Sequence, residues 1–251
     1  MKSPKILIIS GDGINCERET AWSFSLVGAD TQIVHINEIL KNSRLLDNCQ
    51  GIAFPGGFSF GDELGSGQLL AIKMKARLQD SLHRVVEKRI PIIGICNGLQ
   101  VLTKLGLLDD WNGERRVAMA RNKQGHFIDR WVKMIIESDH CIWTKGLKDQ
   151  VVDVPVRHGE GRFQFIPGRE NEIYQDLSNQ KQIVFRYTED INGSYQRIAG
   201  ICDPTGTILG LMPHPEAVLY QVTLPQVSLV PFQETWSMKL FSNAITYIKE
   251  M

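Results

Sequence analysis

Pro91-Ile92-Ile93-Gly94-Ile95-Cys96-Asn97-Gly98-Leu99-Gln100 decides the fold. Ile90 to Ile95 is a short apolar run without a charge, as a strand buried on both faces requires. Asn97 to Leu105 then carries apolar residues at helical spacing. A strand that turns into a helix at one cysteine, with Gly94 and Gly98 flanking it, has the nucleophile-elbow pattern G-x-nucleophile-x-G. The turn is too tight for side chains at the flanking positions. It lifts the nucleophile to the edge of the sheet and aims the helix N-terminus at the sulfur, which favours the thiolate form. The bland alternative is an inert cysteine behind a core strand.

Working outward, the same alternation recurs. Lys5–Ser10, Thr31–Ile36 and Gly51–Pro55 read as strands, and Cys16–Val27 and Ser66–Lys88 as helices. In the last, Leu70, Met74, Leu78, Leu82, Val85 and Val86 repeat with helical period. The second half is richer in strands: Trp131–Ile136, Val152–Arg157, Ile183–Tyr187, Ile198–Cys202 and Ile208–Met212. A helix follows, with Trp236, Leu240, Phe241, Ala244, Ile245 and Ile248 on one face. The expected class is α/β: a doubly wound, mostly parallel central sheet with helices on both faces. Without linker, repeat or low-complexity tract, residues 1–251 read as one domain.

Composition narrows the function. The 28 basic and 28 acidic side chains cancel, so the global basic field of many nucleic-acid binders is absent. The uncharged run from Ala217 to Gln233 is broken by Pro225 and Pro231 and is no membrane span. Ile6–Ile9 is too short for a signal peptide. Five cysteines with no C-x-x-C pair argue against a disulfide framework or a structural zinc site. These features suggest a cytosolic protein with no metal, membrane or nucleic-acid partner.

A cysteine nucleophile needs a base and a group to orient it. His214 follows the strand Ile208–Met212 in Met212-Pro-His214-Pro-Glu216. In extended backbone His214 and Glu216 face the same side, and Pro213 and Pro215 deny the segment a helix. A turn histidine beside a surface carboxylate is the alternative. Phe54-Pro-Gly56-Gly57-Phe58-Ser59-Phe60-Gly-Asp62 also follows a buried strand, and ligands collect outside the C-terminal ends of such strands. A backbone N–H there can join that of Asn97 in holding an oxyanion.

Pro-Gly-Gly57, Gly-Ile-Cys96-Asn-Gly98 and His214-Pro-Glu216, in that order, resemble the class I (triad) glutamine amidotransferases, which have a flavodoxin-like fold. Phe58-Ser-Phe-Gly-Asp62, Cys96-Asn-Gly-Leu-Gln100, His158-Gly-Glu-Gly-Arg162, Asn192-Gly-Ser194, Ile198-Ala-Gly-Ile201 and Gly13-Ile-Asn15-Cys-Glu17 resemble, more narrowly, the glutaminase component of phosphoribosylformylglycinamidine (FGAM) synthase. The resemblance implies Cys96 as nucleophile, His214 as base and acid, and Glu216 as its orienting group. It implies Gly57 and Asn97 as oxyanion donors, with Gly56, Phe58, Ser59 and Gln100 in the glutamine pocket. His158, Glu160 and Arg162 are expected in a loop near the site or a partner interface, with His158 as the rival base. The resemblance further implies a large synthetase subunit and a small third subunit as partners. ATP and magnesium would belong to the synthetase, which agrees with the lack of a Walker loop here.

Two stretches depart from the family pattern. Gly11-Asp12-Gly13 replaces a Phe-Pro-Gly type of loop, and Val218 to Phe232 is longer than expected. The alternatives are an amidotransferase for another acceptor (GMP, CTP or anthranilate synthase type), a non-catalytic regulatory homologue, or a cysteine-elbow esterase.

Overall fold

The computed structural model describes residues 3–109, 114–226 and 233–251. Its strands are β1 (Lys5–Ser10), β2 (Asp30–His35), β3 (Gly51–Phe54), β4 (Ile92–Ile95), β5 (Val117–Arg121), β6 (Ile128–Ile136), β7 (Val151–His158), β8 (Glu160–Phe165), β9 (Ile183–Tyr187), β10 (Ile198–Cys202) and β11 (Ile208–Leu211). Its helices are α1 (Glu17–Leu26), α2 (Ile36–Lys41), α3 (Arg44–Asp47), α4 (Gln68–Glu87), α5 (Asn97–Leu105), α6 (Glu170–Asn179) and α7 (Trp236–Glu250).

Nine strands form one sheet in the order β2-β1-β3-β4-β11-β10-β9-β6-β7. The pairings from β2 to β11 are parallel and those from β11 to β7 antiparallel. β3 and β4 are buried at every position, as strands covered on both faces must be. The chain steps one way from β1 to β2 and the other way to β3. Right-handed crossovers therefore send the connecting helices to opposite faces. Accordingly α1 packs with α7, while α2, α3, α4 and α5 pack as a separate group. The α/β architecture with a flavodoxin-like parallel core is as the sequence implies.

Register places the site. Ile92 to Ile95 of β4 lie opposite Ile208 to Leu211 of β11. Cys96 and Met212 therefore leave the sheet side by side, and the Cys96 N–H donates to the Leu211 carbonyl at 2.8 Å. On the antiparallel side β6 and β7 pair from Ile128–His158 to Ile135–Val151, and β7 turns at Gly159 into β8. β5 and β8 form a separate two-stranded ribbon. Part of the long Val218–Phe232 segment, residues 227–232, lies outside the described residues. No helix among the described residues is long and apolar enough to cross a membrane.

Candidate active site

Cys96 sits at the elbow that the sequence pattern implied. Its φ of +51° lies in the left-handed region, which costs a non-glycine residue about 1–2 kcal/mol. Two constraints hold it there: the strand bond to Leu211 and the helix that begins at Asn97. Gly98 shows why the turn needs glycine. A Cβ there would stand 1.9 Å from the Phe54 carbonyl oxygen, which leaves no room for any side chain. The Cys96 Sγ lies 3.5 Å from the Arg157 carbonyl oxygen, at the end of β7.

His214 and Glu216 meet as expected, but by a different route from the one spacing suggested. The segment is not extended. Pro215 opens a single 3₁₀ turn over Pro215–Ala217, and this turn folds the Glu216 carboxylate back onto the ring. The His214 Nδ1 to Glu216 Oε1 distance is 2.6 Å, and both side chains are buried. The backbone is pinned from outside: His214 N–H donates to Pro155 O at 3.0 Å, and Ser237 Oγ donates to Pro215 O at 2.5 Å. Burial alone would depress the His214 pKa. The Glu216 carboxylate, together with the Cys96 and Cys16 thiols, outweighs it and holds the pKa well above the ordinary value. Nε2 of His214 has no hydrogen bond at normal length, which leaves it free to exchange a proton with a neighbouring group.

The loop after β3 is locked against the N-terminal loop. Phe58 N–H donates to Gly13 O and Phe60 N–H to Asp12 O, each at 2.7 Å. The Gly11-Asp12-Gly13 departure thus serves as a backbone brace for the loop that carries Gly57. Asn97 ties the two halves together: its Oδ1 accepts from Ser59 N–H at 3.1 Å, and its Nδ2 donates to Asp62 Oδ1 and Gln100 Oε1. Burial pushes the Asp62 pKa up.

A cavity of about 250 Å³ opens above the sulfur and suits a ligand of amino-acid size. Gly57, Phe58, Gln100, His158 and Glu160 line it with Cys96. Gln100 reaches it from a fixed pose, since its Nε2 donates to the Glu160 carbonyl. Gly56 packs against the His214 ring. Ser59 is buried, and its hydroxyl has no protein partner. Arg162 does not line the cavity; it lies half-buried beside Gly193. Phe58 and Phe127 are exposed with ring centroids 6.2 Å apart, and both belong to the lining.

His158 is a poor rival base. Burial, followed by the proximity of His214, pulls its pKa down to about 4. Its Nδ1 meets a neutral amide, Asn122 Oδ1 at 3.0 Å, rather than a carboxylate.

Cys16 and Asn122 are the residues that sequence reasoning missed. Cys16 sits on the far flank of His214, and burial pushes its pKa up against the hydrogen bond from the ring. Cys16, His214 and Glu216 bring three possible metal-ligand atoms within 4.8 Å of one another. The His214–Glu216 bond already occupies that edge. The family-like stretch Gly13-Ile-Asn15-Cys-Glu17 was the available signal for Cys16. Nothing in the local sequence marks Asn122, whose partner His158 is 36 residues away.

Residues 3–248 match the CobB/CobQ-like glutamine amidotransferase domain. The chain is 40% identical to the phosphoribosylformylglycinamidine synthase subunit PurQ of Methanococcus maripaludis, covering 98% of each. It is 34% identical to the subunit PurQ of Dehalococcoides mccartyi over the full length of both. Among solved structures, a chain of PurLQS from Thermotoga maritima superposes with a TM-score of 0.78 at 29% identity, covering 98% of this chain and 99% of that one.

Proposed function

Because this chain belongs to the CobB/CobQ-like glutamine amidotransferase family, and within it to the PurQ subunits of phosphoribosylformylglycinamidine synthase, we propose that it is the glutaminase that feeds ammonia to that synthase. The observation that carries the chemistry is the strained Cys96 standing beside a histidine whose other nitrogen is held by Glu216 at 2.6 Å.

The sulfur of Cys96, its proton resting on Nε2 of His214, attacks the side-chain carbonyl carbon of glutamine. The oxyanion so formed is held by the Gly57 N–H and by the Asn97 N–H, which lies in the first turn of α5 and points out of the helix. His214 then returns the proton to the amide nitrogen. The C–N bond breaks, ammonia leaves and a glutamyl thioester remains. Water, deprotonated by His214, attacks the thioester carbonyl carbon; the C–S bond breaks, glutamate departs, and the Cys96 thiolate and the proton on His214 are restored. Glu216 holds the Nδ1–H tautomer and balances the imidazolium of both steps. Gly56, Phe58, Ser59 and Gln100 shape the pocket. Glu160 stands at its wall, and Arg162 lies outside it beside Gly193.

Free ammonia would be protonated and diluted in water, so the large synthetase subunit receives it directly and couples it to formylglycinamide ribonucleotide at the expense of ATP. A small third subunit completes the assembly. Magnesium and ATP belong to the synthetase, and this chain needs no cofactor. Residues 1–251 act as one domain, in the cytoplasm. The test is amidine formation by this chain mixed with the synthetase and the small subunit of the same genome. Glutamine should support the reaction only when this chain is present, whereas ammonium salt should support it with or without. Glutamine use that never depends on this chain overturns the reading.

A further inference from the structure

His158 is a buried imidazole for which the mechanism above has no use, yet its surroundings specify it closely. Asn122 Nδ2 donates to two carbonyls, His126 O at 3.0 Å and His158 O at 2.7 Å. The amide orientation follows: the atom facing the His158 ring is the oxygen. Nδ1 of His158 must therefore carry the hydrogen and donate it at 3.0 Å. Nε2 is left as a bare lone pair, buried and without a protein partner. Gly161 has a role in this arrangement, since a Cβ there would stand 2.4 Å from the ring. The second glycine of the His-Gly-Glu-Gly stretch is thus accounted for by placing this one ring. Its low proton affinity keeps the lone pair free at neutral pH.

The lone pair does not stand alone. His158 lines the same cavity as Cys96, and the carbonyl of the preceding residue, Arg157, lies 3.5 Å from the Cys96 sulfur. The end of β7 thus brings two acceptors, Arg157 O and His158 Nε2, to the neighbourhood of the sulfur, while the N–H groups of Gly57 and Asn97 come from the loop after β3 and the start of α5. A carboxamide has one oxygen that accepts and one nitrogen that donates two hydrogens. Resting on the glutaminase reading, we propose that His158 Nε2 accepts an N–H of the glutamine carboxamide, with Arg157 O taking the other. His158 would thereby orient the leaving nitrogen and discriminate against glutamate, whose second oxygen would face two lone pairs. His158 transfers no proton; the proton that releases ammonia comes from His214. A neutral acceptor suits the task, because a charged imidazolium would repel the amide hydrogens and the His214 imidazolium alike.

The test compares two substrates in the assembled complex, glutamine and the γ-methyl ester of glutamate, whose leaving oxygen has no hydrogen to offer. His158→Phe keeps the ring and removes the acceptor. It should lower kcat/KM for glutamine about 10–100-fold, the range for one well-placed hydrogen bond in a reacting site, and change the ester by less than about threefold. His158→Gln, which can present an oxygen, should recover much of the loss. Equal losses on both substrates, or no loss on glutamine, overturn the assignment while wild-type glutamine turnover leaves the glutaminase reading standing. A wild type that hydrolyses the ester but not glutamine overturns both. Should His158→Phe fail to fold, Cys96→Ala carrying ¹⁵N-labelled histidine gives a second readout. The unprotonated Nε2 resonance of His158 should shift when glutamine saturates the site, and an unmoved resonance overturns the proposal.

Discussion

His158-Gly-Glu160 and His214-Pro-Glu216 have the same H-x-E spacing, the first lining the cavity with Cys96 and the second standing against the Cys96 sulfur, yet they do opposite things. The middle residue separates them. Pro215 starts a 3₁₀ turn that folds Glu216 onto its own histidine. Gly159 is instead the turn between β7 and β8, and successive residues there diverge along two strands. Glu160 accepts from Ser66 N–H at 3.3 Å and faces Arg121 at 3.8 Å, while His158 turns to Asn122. Both imidazoles are 2% exposed. Burial lowers the pKa of each, and only His214 has a carboxylate to reverse the shift. Burial sets how strongly a histidine responds, but the partner at Nδ1 sets which way.

Three substitutions or measurements would break or sharpen that contrast. Glu216→Gln should have the largest effect. An amide at Nδ1 neither fixes the tautomer nor balances the imidazolium, so glutamine kcat should fall about 10²–10⁴-fold in a folded chain. A fall of less than about threefold would show that Glu216 does not govern His214. Asn122→Asp makes the reverse change, giving His158 a carboxylate. Its pKa should rise, the lone pair at Nε2 should be lost to a proton near neutral pH, and glutamine kcat/KM should drop about 10–100-fold. Ring ¹⁵N shifts report the protonation directly, and a His158 that stays neutral in this variant contradicts the account.

The smallest effect is on stability. His158 has a folded pKa of about 4 against an ordinary value near 6.5. Between those values the unfolded chain holds a proton that the folded chain refuses, so stability falls as pH drops from about 6.5 to 4. The loss is about 3 kcal/mol. His214 runs the other way, because its raised pKa adds stability that is fully present below about 6.5 and is lost as pH rises through the folded value. Denaturant titrations across this range should show the wild type losing about 3 kcal/mol more than His158→Gln on acidification. Parallel curves would mean that His158 is not held neutral.

Legibility in the sequence followed burial. Ile183–Tyr187 and Ile198–Cys202 have the bounds their apolar runs suggest, because strands covered on both faces need continuous apolar residues. β6 begins at Ile128, three residues before the expected start, because it pairs with β7 along its whole length although Asp129 and Arg130 face solvent. β5, β8, α2, α3 and α6 were not anticipated. They are half-exposed, and pairing or packing holds them rather than local pattern. In the site, Cys96 was legible because its turn imposes glycines next to it in sequence. The His214–Glu216 contact was anticipated for an imperfect reason, since a 3₁₀ turn, not an extended strand, closes it at 2.6 Å. Cys16 and Asn122 depend on contacts between distant segments, which composition and spacing do not encode.

The central claim is a division of labour, with ammonia made here and used elsewhere. Cys96→Ala tests it most directly when combined with the synthetase and the small subunit. Amidine formation should fall to background with glutamine and stay at the wild-type rate with ammonium salt. Loss of both activities, or glutamine use that survives without the Cys96 sulfur, would contradict the account.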